Sequence, residues 1–93
     1  MITAIVLIDT DVDRIPEAAQ QIAEIDGVTE VYSVTGDTDL VATVRVAEHE
    51  SLADVIADRI SKVGGVTGTR TYIAFRTYST NDLDAAFNLG LDG

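Results

Sequence analysis

The sequence predicts an α+β domain of the ferredoxin-like βαββαβ type: a four-stranded antiparallel sheet with two helices on one face, then a short C-terminal helix or arm. Three observations point there. Ile25-Asp26-Gly27-Val28-Thr29 recurs as Val63-Gly64-Gly65-Val66-Thr67, each copy lying between an amphipathic stretch and a strand-like run. Two strand–helix–strand units in series are the signature of a split βαβ domain. The apolar content, 46% of the chain with only 5% aromatic, is mostly Val, Ile, Ala and Leu, which suits a sheet with helices packed on it. At 93 residues there is room for one domain, residues 1–93, with 79–93 as a tail.

The first strand is expected over Ile2 to Asp9. A helix follows from about Asp13 to Ile25, where Ile15, Ala18, Ala19, Ile22 and Ile25 recur at helical spacing. Asp13 suits its N-cap, Pro16 is tolerated in a first turn whose N–H groups lack helical partners, and Gly27 stops it. The second and third strands are expected over Val28 to Val34 and Leu40 to Ala47, joined by a Gly36-Asp37-Thr38-Asp39 hairpin turn. The second helix opens at Ser51, with Asp54 completing a near capping box. It carries the stripe Leu52, Val55, Ile56, Ile60 and Val63, and places Arg59 and Lys62 where cations complement the helix dipole, before Gly64 ends it. The fourth strand is expected over Thr69 to Tyr78, and Asn81 to Leu89 as a short helix or arm.

Both faces of these strands are apolar. In the first strand Ile2, Ala4, Val6 and Ile8 share one face while Ile5 and Leu7 share the other, and Val41 stands opposite the set Leu40, Ala42, Val44 and Val46. Two helices cover one face of such a sheet, so the second face implies a homodimer packed sheet against sheet.

Composition narrows the function. Six Lys+Arg against 16 Asp+Glu give a net charge of −10, which repels phosphate backbones and argues against direct contact with nucleic acid. There is no cysteine, hence no disulfide, thiolate nucleophile or Cys-based metal site, in keeping with a cytoplasmic location. Met1-Ile2-Thr3-Ala4 has neither a basic region nor a cleavage-like boundary, and the apolar runs fall well short of the ~18 residues of a membrane span. No cofactor, metal or membrane partner is expected.

Val34-Thr35-Gly36-Asp37-Thr38-Asp39-Leu40 is the most unusual stretch, with two carboxylates on one short turn. Their charge suits an ammonium group, while the alternative is that Asp37 and Asp39 bond their own backbone as turn residues do. Gly36 lets a ligand approach the backbone closely. Tyr32 and Tyr72 read as packing residues, and Arg45 and Arg70 as solvated or intersubunit charges. His49, flanked by Glu48 and Glu50, lacks the neighbours of a catalytic base.

The order and spacing of Gly27-Val28, Val34-Thr35-Gly36 with Asp39-Leu40, Gly65-Val66, and Thr69 with Thr71 resembles the effector (RAM) domain of the Lrp/AsnC regulators, over about Met1 to Tyr78. The resemblance implies a stand-alone version, because the chain starts at the first effector-domain strand where relatives carry a helix-turn-helix first. It implies an amino-acid effector held at contacts between dimers, with Gly36, Asp37, Asp39, Thr69 and Thr71 lining the pocket and Asp39 at the position the family pattern specifies. It further implies assembly of dimers to tetramers or octamers, and mixed oligomers with full-length relatives. The leading expectation is therefore a non-enzymatic effector-binding module in transcriptional and amino-acid metabolic regulation. One alternative is a purely structural oligomerisation module, for which Asp39→Ala should leave assembly and stability nearly untouched. The other is a cofactor-independent dimeric enzyme, which the lone His49 and the absence of Trp disfavour.

Overall fold

The computed structural model describes residues 1–78 and Thr80. Four strands, β1 (Ile2–Thr10), β2 (Val28–Ser33), β3 (Leu40–Val46) and β4 (Val66–Ile73), form one sheet in the order β2-β3-β1-β4. Every neighbouring pair is antiparallel. With α1 (Ile15–Ala23) between β1 and β2, and α2 (His49–Ala53 with its continuation to Lys62) between β3 and β4, this is the α+β, ferredoxin-like architecture that the repeat predicts.

Paired residues share a face of the sheet, so the register fixes what each side chain meets. Leu40, Ile8 and Thr69 form one row across β3, β1 and β4, and Ala42, Val6 and Thr71 form the next. On this side Ala4, Val6, Ile8, Leu40, Ala42 and Val44 are fully buried against Ala18 and Ile22 of α1 and against Leu52, Val55 and Ile60 of the second helical segment. Helix cover stops short of the outer part of β4. Thr69 is half-buried, Thr71 is exposed, and Ile73 retains 46% of its surface.

The other side carries the rows Tyr32–Val41–Leu7–Arg70 and Glu30–Thr43–Ile5–Tyr72. No described helix lies on it, and Ile5, Tyr32 and Tyr72 keep 40%, 46% and 55% of their surface.

Element ends depart from expectation for local reasons. Asp13 does not cap α1. It lies inside a 3-10 turn, Val12–Arg14, that leads into the helix, and Arg14 N–H donates to the Asp11 carbonyl at 2.9 Å. Pro16 does sit at the start of α1. The second helix begins at His49, two residues before the Ser51–Asp54 pattern, because Glu48 is the extended residue whose carbonyl takes the Leu52 N–H. It then widens into a π-helical stretch, Asp54–Arg59, and tightens into a 3-10 turn, Ile60–Lys62.

β4 starts at Val66 and ends at Ile73, earlier at both ends than expected. A register shift at Asp9/Thr10 brings Thr10 opposite Val66. Ala74 adds one further bond, donating to the Thr3 carbonyl at 2.9 Å, and the chain then leaves the ladder. Gly65 has φ +97° and a virtual Cβ there lies 2.7 Å from Arg14 Cβ, so only glycine lets the α2–β4 loop press on α1. The expected helix or arm over Asn81 to Leu89, and the 79–93 tail generally, lie outside the described residues apart from Thr80.

Candidate ligand site

The acidic turn joins β2 to β3 at the end of the sheet where β1 finishes. Val34 N–H donates to the Asp39 carbonyl at 3.2 Å and closes the loop. Gly36 at its tip has φ +121°, and nothing lies within 4 Å of a virtual Cβ, so glycine is required there by backbone conformation and not by space.

The base of the turn is fastened to β1. The Ile8 carbonyl accepts from Asp39 N–H at 3.1 Å and from Thr38 Oγ1 at 3.0 Å. Asp39 Oδ2 accepts the Thr10 N–H at 2.9 Å. That amide lies just past the register shift, where regular pairing has lapsed, so a side chain supplies the acceptor the ladder does not. Thr10 itself is 7% exposed, and its Oγ1 is buried with no partner among the described residues.

The residues predicted from sequence fall into two groups. Gly36 and Asp37 are exposed at the turn tip. Asp39 is half-buried, with one carboxylate oxygen on the Thr10 amide and no protein donor recorded on the other among the described residues. Thr69 and Thr71 lie on the helix-side face of β4, opposite Ile8 and Val6. β1 separates the two groups. Two interstrand steps put Asp39 and Thr69 about 10 Å apart. Within one protomer the acidic turn and the paired hydroxyls flank the same end of the sheet without meeting.

Thr38 is the residue that sequence reasoning missed. Its hydroxyl is buried and bonds the Ile8 carbonyl, 30 residues away in sequence, so no local pattern signals it. Tyr32 sits nearby on the uncovered face. A hydrogen bond to the Glu30 carboxylate, with burial and the Glu30 charge adding to it, raises its phenol above the ordinary value of 10.0.

The Lrp/AsnC ligand binding domain model matches residues 3–83. The chain belongs to the Lrp/AsnC family. TTHA0845 from Thermus thermophilus is 48% identical, superposes with a TM-score of 0.81, and is matched over 99% of its own length and 85% of this chain. The HTH-type transcriptional regulator PH1916 of Pyrococcus horikoshii is 38% identical over 78 residues, which is 81% of this chain and 52% of that protein. The feast or famine regulatory protein Rv3291c of M. tuberculosis, solved in complex with L-methionine, is 31% identical over 85% of this chain and 53% of that one, with a TM-score of 0.71. This Lrp/AsnC domain thus spans about half the length of the curated relatives it matches. Those relatives, PH1916 and LrpA1 of Halobacterium salinarum among them, are HTH-type transcriptional regulators. Among the described residues no helix is long and apolar enough to cross a membrane.

Proposed function

We propose that this Lrp/AsnC domain is an effector-binding and oligomerisation module for amino-acid-responsive transcriptional regulation, acting in the cytoplasm and without itself contacting DNA. The match to a ligand-binding domain model over residues 3–83 carries the reading. The methionine complex of Rv3291c supports an amino acid as the effector class.

The chemistry of the turn fits that class. An amino-acid zwitterion needs an anion for its ammonium and donors for its carboxylate. Asp37 and the second oxygen of Asp39 supply the first, while the Thr69 and Thr71 hydroxyls and turn N–H groups supply the second. The separation of about 10 Å inside one protomer means that a small ligand touching both sets needs a second copy to bring them together. On this reading the pocket lies between protomers, with Gly36, Asp37, Asp39, Thr69 and Thr71 as its proposed residues.

The apolar rows on the uncovered face, centred on Ile5, Leu7 and Val41, support a homodimer packed sheet on sheet. Higher assembly to tetramer or octamer follows if the pocket joins dimers, and mixed oligomers with full-length relatives are then a route to regulating them. The net charge of −10 supports action through protein contacts rather than on DNA.

Native mass spectrometry of the purified chain, alone and with each standard amino acid, tests this reading. A bound mass that also shifts the dimer-to-higher-oligomer balance is the expected result. A ligand-indifferent oligomer would overturn the sensing role and leave the structural module, which the use of Asp39 as an anchor for Thr10 favours.

A further inference from the structure

At the other end of the sheet lies a cleft of about 390 Å³, bordered by the Asp26-Gly27 turn, the last residues of β3 and the π-helical stretch. Along β3, Leu40 and Val46 are about 20 Å apart, so this cleft is remote from the acidic turn. Val46 and Val55, 8% and 5% exposed, form its floor. Gly27 permits the close approach, since a virtual Cβ there lies 3.1 Å from Val46 Cγ1 and 3.2 Å from Val55 Cγ2. The walls carry both signs of charge: Asp26 and Asp54, with Arg45 and Arg59.

Two features set this cleft apart. The chain has only six Lys+Arg against 16 Asp+Glu, yet two of the six open onto one small concavity. Among the described residues neither forms an ion pair; the pair present there is Lys62–Asp58, on the surface at 4.0 Å. Exposed guanidiniums beside carboxylates, left unpaired in an acidic protein, are available to a ligand of mixed charge.

The second feature is the π turn itself. In an α-helix a residue five positions on is rotated about 140° from the first, so Asp54 and Arg59 would diverge. A π turn closes i to i+5 and returns both to nearly the same side. The same register turns Val55 and Ile60, also five apart, into the core together. Ser61 Oγ spans the same interval, donating to the Ile56 carbonyl at 3.0 Å. Widened turns of this kind are uncommon in helices and concentrate at functional sites. Here the widening lets both Arg59 and Asp54 border the cleft.

We propose that this cleft is a binding site, complete within one protomer, for a small zwitterion bearing a carboxylate and an ammonium group. Arg45 and Arg59 take the carboxylate through charge-assisted hydrogen bonds, and Asp26 and Asp54 take the ammonium. The inference does not depend on the effector reading, because it uses different residues and no second copy.

An amide NMR titration of the full chain tests it, with each standard amino acid as probe and with acetate and methylammonium as the two halves. Saturable shifts of Asp26, Gly27, Ala47 and the Asp54–Arg59 amides are expected with at least one amino acid. Losing a charged hydrogen bond in Arg59→Leu weakens that binding by about tenfold or more. Asp54→Asn, on the solvent side of the π turn, weakens amino acids while sparing acetate. Shifts confined to Gly36–Asp39 and β4 would overturn the cleft and keep the effector site. Acetate binding as well as any amino acid, indifferent to Asp54→Asn, would show an anion contact only and overturn the zwitterion assignment. Silence at both ends of the sheet would overturn this inference and the effector reading together.

Discussion

Asp39→Ala isolates the fastening of the acidic turn. The substitution removes the acceptor from the Thr10 N–H, a bond of 2.9 Å made across 29 residues of sequence. Removing a hydrogen bond with a charged partner costs about 1.5–3 kcal/mol, and partial exposure of Asp39 places the value in the lower half, about 1.5–2 kcal/mol. The loss falls on a strand end that is already poorly satisfied, since the Thr10 hydroxyl is buried without a partner among the described residues. With a urea dependence of about 1 kcal/mol per molar for a small domain, the unfolding midpoint drops by about 1.5–2 M. Asp39→Asn keeps an oxygen in place and loses about half as much, whereas Asp37→Ala at the exposed tip stays within about 0.5 kcal/mol. Protomer concentration must be held constant, because association adds to apparent stability. An Asp39→Ala midpoint indistinguishable from that of Asp37→Ala would refute the reasoning, leaving the turn held by Thr38 and the Asp39 amide alone. The outcome also revises a sequence-level expectation: a purely structural module would lose stability too, so only ligand binding separates the two functions.

Gly65→Ala combines a positive φ with a 2.7 Å approach to Arg14 Cβ and should cost about 2–4 kcal/mol by thermal unfolding, while adjacent Gly64→Ala, with nothing within 4 Å, stays near neutral. Thr10→Val replaces a buried hydroxyl with no partner among the described residues and should stabilise by about 1 kcal/mol; destabilisation in the same denaturant assay would reveal an internal water serving that group. Tyr32 has its phenol raised above 10.0 by Glu30, so the native state holds that proton more tightly than the unfolded chain. Its contribution is fully present below pH 10.0 and lost as pH rises through the raised native value, so spectroscopic titration of Tyr32→Phe should lack the tyrosinate step that Glu30 raises and lose the matching alkaline decline in stability.

The core was legible as a parity: Ala4, Val6 and Ile8 with Leu40, Ala42 and Val44 share one face of their strands, and the helices cover that face rather than the one carrying Ile5, Leu7 and Val41. Gly27 was legible as a stop and has positive φ, whereas the stop expected at Gly64 falls one residue later, on Gly65. The second helix was less so. Leu52, Val55, Ile56 and Ile60 satisfy an α-helical stripe as well as a π-helical one, so the widened turn leaves no trace in the apolar pattern. Ser51 and Asp54 imitated a cap, but the bond that opens the helix uses the Glu48 carbonyl, which any residue could supply. At the acidic turn the glycine and the carboxylates were visible, and their fastenings were not. The partners of Asp39 and Thr38 are backbone groups of Thr10 and Ile8, and a backbone group carries no sequence signal.

The way the turn is tied has an engineering consequence. Val34 closes one side, Thr38 and Asp39 bind β1 on the other, and Thr35, Gly36 and Asp37 between them are exposed. That tip is a graft window at Thr35 and Asp37, in which side chains can be exchanged without disturbing the knots on either side while Gly36 keeps its positive φ. A library confined to those positions would vary what the domain presents while the sheet beneath it stays the same, which makes the scaffold suited to selecting new small-molecule or peptide recognition.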